Sequence, residues 1–96
     1  MKIEFLEAAQ IELAQAFEWY ETQQKDLGVQ FLNEFDSAVR RIIAYPESYI
    51  LIEQDIRRCL IKRFPYGVLY GIDFDKIIVI AVAHLHRKPD YWIDRV

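Results

Sequence analysis

Ile77-Ile78-Val79-Ile80-Ala81-Val82-Ala83 is the longest apolar run in the chain. It is far too short for a membrane span, which takes about 20 apolar residues in a helix. Most of its members are β-branched, and Asp73, Asp75 and Lys76 bound it with charge. Such a run reads as a strand buried on both faces. The other elements are placed relative to this strand.

Upstream lies a second strand pattern, Val68 to Phe74, rich in β-branched and aromatic residues. Asp73 to Lys76 gives a short hairpin loop between the two. Before them Ile56 to Phe64 alternates imperfectly, with Arg57, Arg58, Lys62 and Arg63 as its basic positions. A strand over this stretch turns residues 57 and 63 to one side and 58 and 62 to the other. Pro65-Tyr66-Gly67 punctuates as a turn. Glu53 and Asp55 read as loop residues, and Asp73 and Asp75 as turn formers.

The first half has helical period. Ala9, Leu13, Ala16, Phe17 and Tyr20 fall on one stripe, with Glu7, Glu12, Gln15 and Glu18 between them. Glu7 and Glu12 lie near the start, where the helix dipole favours anions. Phe31, Phe35, Ala38, Val39 and Ile42 form a second stripe, which Pro46 ends. The spacing predicts helices over 7–25 and 28–44, joined as an antiparallel hairpin with Gly28 as a left-handed cap. Met1 to Leu6 alternates like a half-buried strand, expected to lie next to the last one.

The order is strand, helix, helix, strand, strand, strand, in a single α+β domain over residues 1–96. The helical hairpin should pack on one face of a small, mainly antiparallel sheet. Phe17, Phe31, Phe35, Ile42, Val79 and Ala81 are expected to be buried together.

Composition bounds the function. The chain has 96 residues, 53% hydrophobic and 28% charged, an ordinary globular balance. One cysteine excludes an internal disulfide framework and every multi-cysteine metal site; Cys59 reads as a small buried hydrophobe. The N-terminus has no signal-peptide pattern, so a cytoplasmic location with no membrane partner is expected. The net charge is −3, yet residues 56–96 carry eight basic and four acidic side chains. That asymmetry points to an anionic partner for the second half, or to acidic–basic polarity in assembly.

Two constellations could carry chemistry. The basic cluster Arg57, Arg58, Lys62, Arg63 is either a solvated strand whose charges discourage aggregation or a contact surface for phosphates or an acidic partner. The segment His84-Leu85-His86-Arg87-Lys88-Pro89-Asp90-Tyr91-Trp92 begins where the buried strand ends. His84 can act as general acid or base, and Arg87 can stabilise charge on a phosphate. His84 and His86 share a face if the strand continues through them, but no third zinc ligand is implied, so no metal is expected. Tyr91 and Trp92 fit packing roles. No glycine-rich phosphate loop, nucleophile elbow or HExxH motif is present, and no cofactor is expected.

The whole pattern resembles the RelE/ParE superfamily, the toxins of type II toxin–antitoxin modules. Arg58-Cys59-Leu60-Ile61-Lys62-Arg63-Phe64-Pro65-Tyr66-Gly67-Val68-Leu69-Tyr70 carries the resemblance, with Ile78 to His84, Tyr45-Pro46 and the Arg87 to Trp92 tail. It is similar to the ParE-like branch, the plasmid stabilisation proteins. The resemblance implies a cognate antitoxin and one of two targets. ParE-like toxins inhibit DNA gyrase and cut nothing themselves. RelE-like toxins enter the ribosome and cut mRNA, using basic residues on the scissile phosphate. Many of these have an arginine where this chain has Gly67, and its absence counts against ribonuclease action. Arg63, His84, Arg87 and Tyr91 are then the candidates for a substitute catalytic site. Arg57, Arg58, Lys62, Arg63, His86, Arg87 and Trp92 are the candidates for target binding. A third reading is an inert toxin-like binding module.

Overall fold

The computed structural model describes residues 1–96. Its elements are β1 (Lys2–Phe5), α1 (Glu7–Gln23), α2 (Leu27–Ala44), β2 (Ile50–Glu53), β3 (Ile56–Leu60), β4 (Tyr66–Asp73), β5 (Lys76–His84) and a 3₁₀ turn at Ile93–Arg95. The sheet order is β1-β5-β4-β3-β2. Only β1 runs parallel to its neighbour, with Phe5 beside Val79; the other pairs are antiparallel. The helical hairpin covers one face, so the α+β architecture is as the periodicities implied.

The sheet has one strand more than the sequence reading supplied. Ile50–Glu53 pairs with β3, so Glu53 ends a strand rather than lying in a loop. Four residues are too few for alternation to show against the helix end and Pro46. β3 itself stops at Leu60, and Lys62 and Arg63 lie in the following turn, Arg63 with a left-handed φ of 71°. The expected 57/63 and 58/62 faces therefore do not exist. Tyr66 and Gly67 belong to β4, and the turn before it is formed by residues 62–65.

Helix stripes and the sheet meet in one core. Phe31, Phe35, Ile42, Ile77, Val79, Val68 and Tyr70 are buried together there. Phe17 is only half-buried. Ala81 is buried, but on the opposite face, with Leu69, Ile80, Ala83 and Trp92. A bulge explains the switch. Tyr70 pairs with Val79 and Leu69 with Ala81, leaving Ile80 as the extra residue. A bulge shifts the alternation of the strand beyond it by one position. Val82 thereby rejoins the helix side.

The left-handed residue between the helices is Asp26, φ 68°, not Gly28. Gly28 lies inside α2 and is needed for close approach. A Cβ there would stand 2.7 Å from the Phe17 carbonyl oxygen. Its N–H donates to Glu21 Oε1 at 2.9 Å, which ties the two helices at their junction.

Candidate functional site

Ala9, Glu12 and Ala16 form the buried face of α1. The two alanines let the helix lie close to β5, and Glu12 is carried into the sheet edge between them. β1 stops pairing at Phe5–Val79, so β5 continues without a neighbour on that side. Two of its backbone groups find side-chain partners there. The Val82 N–H donates to Glu12 Oε1 at 3.0 Å, and Arg95 Nη1 donates to the Ile80 carbonyl at 3.1 Å. A buried backbone group without a partner is costly, and these two side chains stand in for the missing strand.

The same carboxylate gathers the C-terminal segment. Arg95 binds it through two nitrogens, at 2.8 and 3.1 Å. Tyr91 Oη donates to Glu12 Oε2 at 2.6 Å, and Arg87 Nη1 reaches that oxygen at 3.4 Å. The Arg87 guanidinium lies 3.7 Å from the Tyr91 ring centroid, a cation–π stack. Burial alone would push the Glu12 carboxyl up. Hydrogen bonds from Arg95, Tyr91 and Val82, with the charge of Arg95, hold it below the ordinary carboxylate range. Burial and the hydrogen bond to Glu12 push the Tyr91 phenol up, so it remains a neutral donor.

Sequence reasoning placed Glu12 on the polar side of α1 and gave Arg95 no role. Both are central here. The available signal was position: Glu12 falls three residues after Ala9 and four before Ala16, inside the small-residue stripe.

The proposed catalytic candidates are only partly assembled. His84, Arg87 and Tyr91 come together at the end of β5. His84 Nδ1 accepts the His86 N–H at 3.1 Å, and the His84 ring meets Tyr66 edge to face at 5.1 Å. β5 ends at His84, so the two histidines touch through a turn rather than by strand alternation. Arg63 goes elsewhere. It donates to Gln30 at 3.0 Å and faces Glu34 at 3.6 Å, both on α2.

The basic cluster divides in the same way. Arg57 donates to the carbonyls of Tyr49 at 2.7 Å and Glu47 at 3.0 Å, and so fixes the loop before β2. Lys62 is exposed in the turn. Arg58 takes the opposite sheet face, where a cleft of about 260 Å³ opens between β3, β4 and the C-terminal segment. Trp92 is 2% exposed and packs against the sheet there, with its Nε1 donating to the Pro89 carbonyl at 2.9 Å. Burial puts Trp92 in the wall of this cleft rather than on an open surface. No group of three His, Cys, Asp or Glu side chains is placed to hold a metal. No helix is long and apolar enough to cross a membrane.

Residues 3–89 match the family model of the ParE toxin of type II toxin-antitoxin system, parDE. The chain belongs to the ParE toxin family. A ParE-type assignment agrees with the fold found in the chromosomal ParDE TA system from P. aeruginosa. A chain of that solved structure superposes with a TM-score of 0.78 over 90% of this chain and 97% of its own length, at 11% identity. At that identity the likeness concerns the fold alone. No curated protein matches this ParE family member.

Proposed function

We propose that this chain is a growth-inhibiting toxin that binds and inhibits DNA gyrase, cuts nothing itself, and is neutralised by a cognate antitoxin. The observation that carries the non-cleaving reading is the engagement of two of the four candidate catalytic groups. Tyr91 is committed to Glu12 and Arg63 to α2, while Arg87 stays half-exposed and reaches Glu12 only at 3.4 Å. A general acid or base and a phosphate-binding cation have to face a substrate, not one another. On this reading Arg58, Lys62 and Arg87 supply charge contacts and His86 a polar contact to the target, while Arg57, Arg63 and Trp92 hold the surface in shape.

The antitoxin reading rests on the family and on the sheet edge. Ile50 and Leu51 on edge strand β2 are 63% and 50% exposed, and Leu60 on β3 is 49% exposed. An edge strand with exposed apolar residues and basic neighbours suits an amphipathic segment laid along it.

Induction in a bacterial host, read for growth, DNA breaks and mRNA cleavage together, tests this function. Growth arrest with DNA breaks and loss of gyrase supercoiling activity is the expected result. Ribosome-dependent mRNA cleavage would establish the ribonuclease alternative in its place. Absence of any effect would leave only a binding module.

A further inference from the structure

Phe74 is the most exposed large apolar side chain of the protein, at 96%, and its backbone lies in the left-handed region with φ 57°. Both properties work against stability. A bulky side chain is disfavoured at positive φ, and a ring left in water gains nothing from burial. Glycine or asparagine would suit this turn better. A residue at odds with both its backbone and its surroundings is one that the fold itself does not explain.

Next to this hairpin tip lies an apolar cleft of about 300 Å³. It shares no lining residue with the cleft at the end of β5. Leu6, Ile56, Ile78 and Ile80 supply its apolar lining. Gly71 lies among them, paired with Ile56 on one side and with Ile78 on the other. A Cβ there would stand 3.3 Å from Ile56 Cδ1 and 3.9 Å from Ile80 Cδ1. The side chain missing at position 71 thus forms part of the hollow.

The rim is anionic. Asp55 and Asp73 border the cleft, and Asp75 flanks Phe74 on its other side. All three are exposed, and none belongs to an ion pair. Lys76, opposite Asp73 in the hairpin, is held by Glu4 at 3.3 Å, and Lys2 lies beyond it on β1. Arg95 also lines the cleft, but its terminal nitrogens are taken by Glu12 and the Ile80 carbonyl. A protruding ring, an apolar hollow and free carboxylates on one edge complement a surface that is apolar and cationic.

We propose that this end of the sheet docks a basic amphipathic segment of another protein, with Phe74 as the anchor and Asp55, Asp73 and Asp75 pairing its lysines or arginines. A few aromatic anchors within a polar rim carry most of the energy of such interfaces. The surface lies at the opposite end of β4 and β5 from His84 and Arg87, so it does not rest on the gyrase reading.

The test is a titration of the purified full chain with labelled peptides, followed by fluorescence anisotropy and by backbone amide chemical shifts. The probes are a helical repeat of LKKLLKL, its acidic counterpart built on LEELLEL, and oligolysine. The basic amphipathic peptide should bind tightest, with shifts centred on Gly71, Phe74 and Ile78. Phe74→Gly removes a ring outside the core and should weaken binding by about 10-fold or more, as loss of an anchor residue does. Phe74→Tyr should retain it, because the ring remains. Asp55→Asn combined with Asp73→Asn should weaken it more at low salt than at high salt. Thermal melts establish that each variant is folded, and if the asparagine pair is not, the two Phe74 variants decide alone. The proposal is overturned if oligolysine or the acidic peptide binds as tightly, if the shifts lie elsewhere, or if no peptide binds. It is equally overturned if Phe74→Gly or the folded asparagine pair leaves affinity unchanged, or if Phe74→Tyr loses as much as Phe74→Gly.

Discussion

Arg95 clamps Glu12 through both terminal nitrogens, at 2.8 and 3.1 Å, across 83 residues of sequence. The pair joins the first helix to the last turn, and it sits where β5 lacks a neighbouring strand. Removing the carboxylate leaves Arg95 half-buried without its counter-charge and Val82 with a weakened acceptor.

Glu12→Gln should therefore destabilise the fold by about 3–5 kcal/mol, the range for breaking one side of a buried ion pair. The pH dependence has a definite sign. The folded carboxyl is held below its unfolded value of about 4.3, so its contribution is complete above that pH. It is lost as pH falls through the lower folded value. Urea melts of wild type and variant between pH 7 and pH 2 check this: the gap should be full near neutrality and close in acid. A gap independent of pH would show that the charge of Glu12 is not what stabilises.

Gly28→Ala should cost about 1–3 kcal/mol, as overpacking of a tight contact does. The methyl group meets backbone, the Phe17 carbonyl at 2.7 Å, and backbone cannot swing aside. Helix propensity alone would predict a gain for this change, so the sign of the shift in melting temperature separates the two effects.

Phe74 stands at the tip of the β4–β5 hairpin with φ 57°, and it is 96% exposed. A bulky residue in the left-handed region loses about 1–2 kcal/mol relative to one that tolerates it. Phe74→Gly should thus raise the melting temperature, because the ring it removes takes no part in the core. Reduced toxicity in the stabilised variant would place Phe74 against the target.

Burial pushes the Cys59 thiol up, against opposing effects of Arg41, Tyr49 and Lys62. The thiolate is the reactive form. A thiol reagent such as dithionitrobenzoate should leave the folded protein unmodified at pH 7.5 and react with one thiol per chain after unfolding. Fast reaction of the native protein would mean that the α2–β3 packing opens.

On the proposed target surface, His84→Ala combined with Arg87→Ala removes a positive charge and a hydrogen-bonding ring, so toxicity should weaken. Arg87 also touches Glu12, so the double variant must be compared at equal folded concentration by circular dichroism. Undiminished growth arrest would move the target surface away from the end of β5.

Much of this fold is legible because two periods divide the sequence cleanly. Phe31, Phe35 and Ile42 repeat at helical spacing, and Ile77 to Ala83, short and mostly β-branched, reads as a buried strand. Two things escaped for local reasons. β2 is four residues long, and the bulge at Ile80 is invisible in an unbroken apolar run because every register looks alike. The site was less legible than the fold. Periodicity registers Glu12 as polar and therefore solvent-facing, whereas its burial depends on partners 70 to 83 residues away. Gly67 was informative as an absent cation, and its geometric meaning came from Arg58 on the neighbouring strand, whose Cγ would stand 2.9 Å from a Cβ at position 67.

The parallel pairing of β1 with β5 also sets a timetable for synthesis. The first strand pairs with the last one to be made, and Glu12 waits 83 residues for Arg95. At bacterial-type elongation rates of about 5–20 residues per second, that wait is roughly 4–17 s. Throughout it the helical hairpin has no completed sheet to rest on, and the end of β5 does not yet exist as a surface. Until the turn at Ile93–Arg95 has left the ribosome, the nascent chain lacks both the Glu12–Arg95 clamp and the surface that this clamp holds at the end of β5.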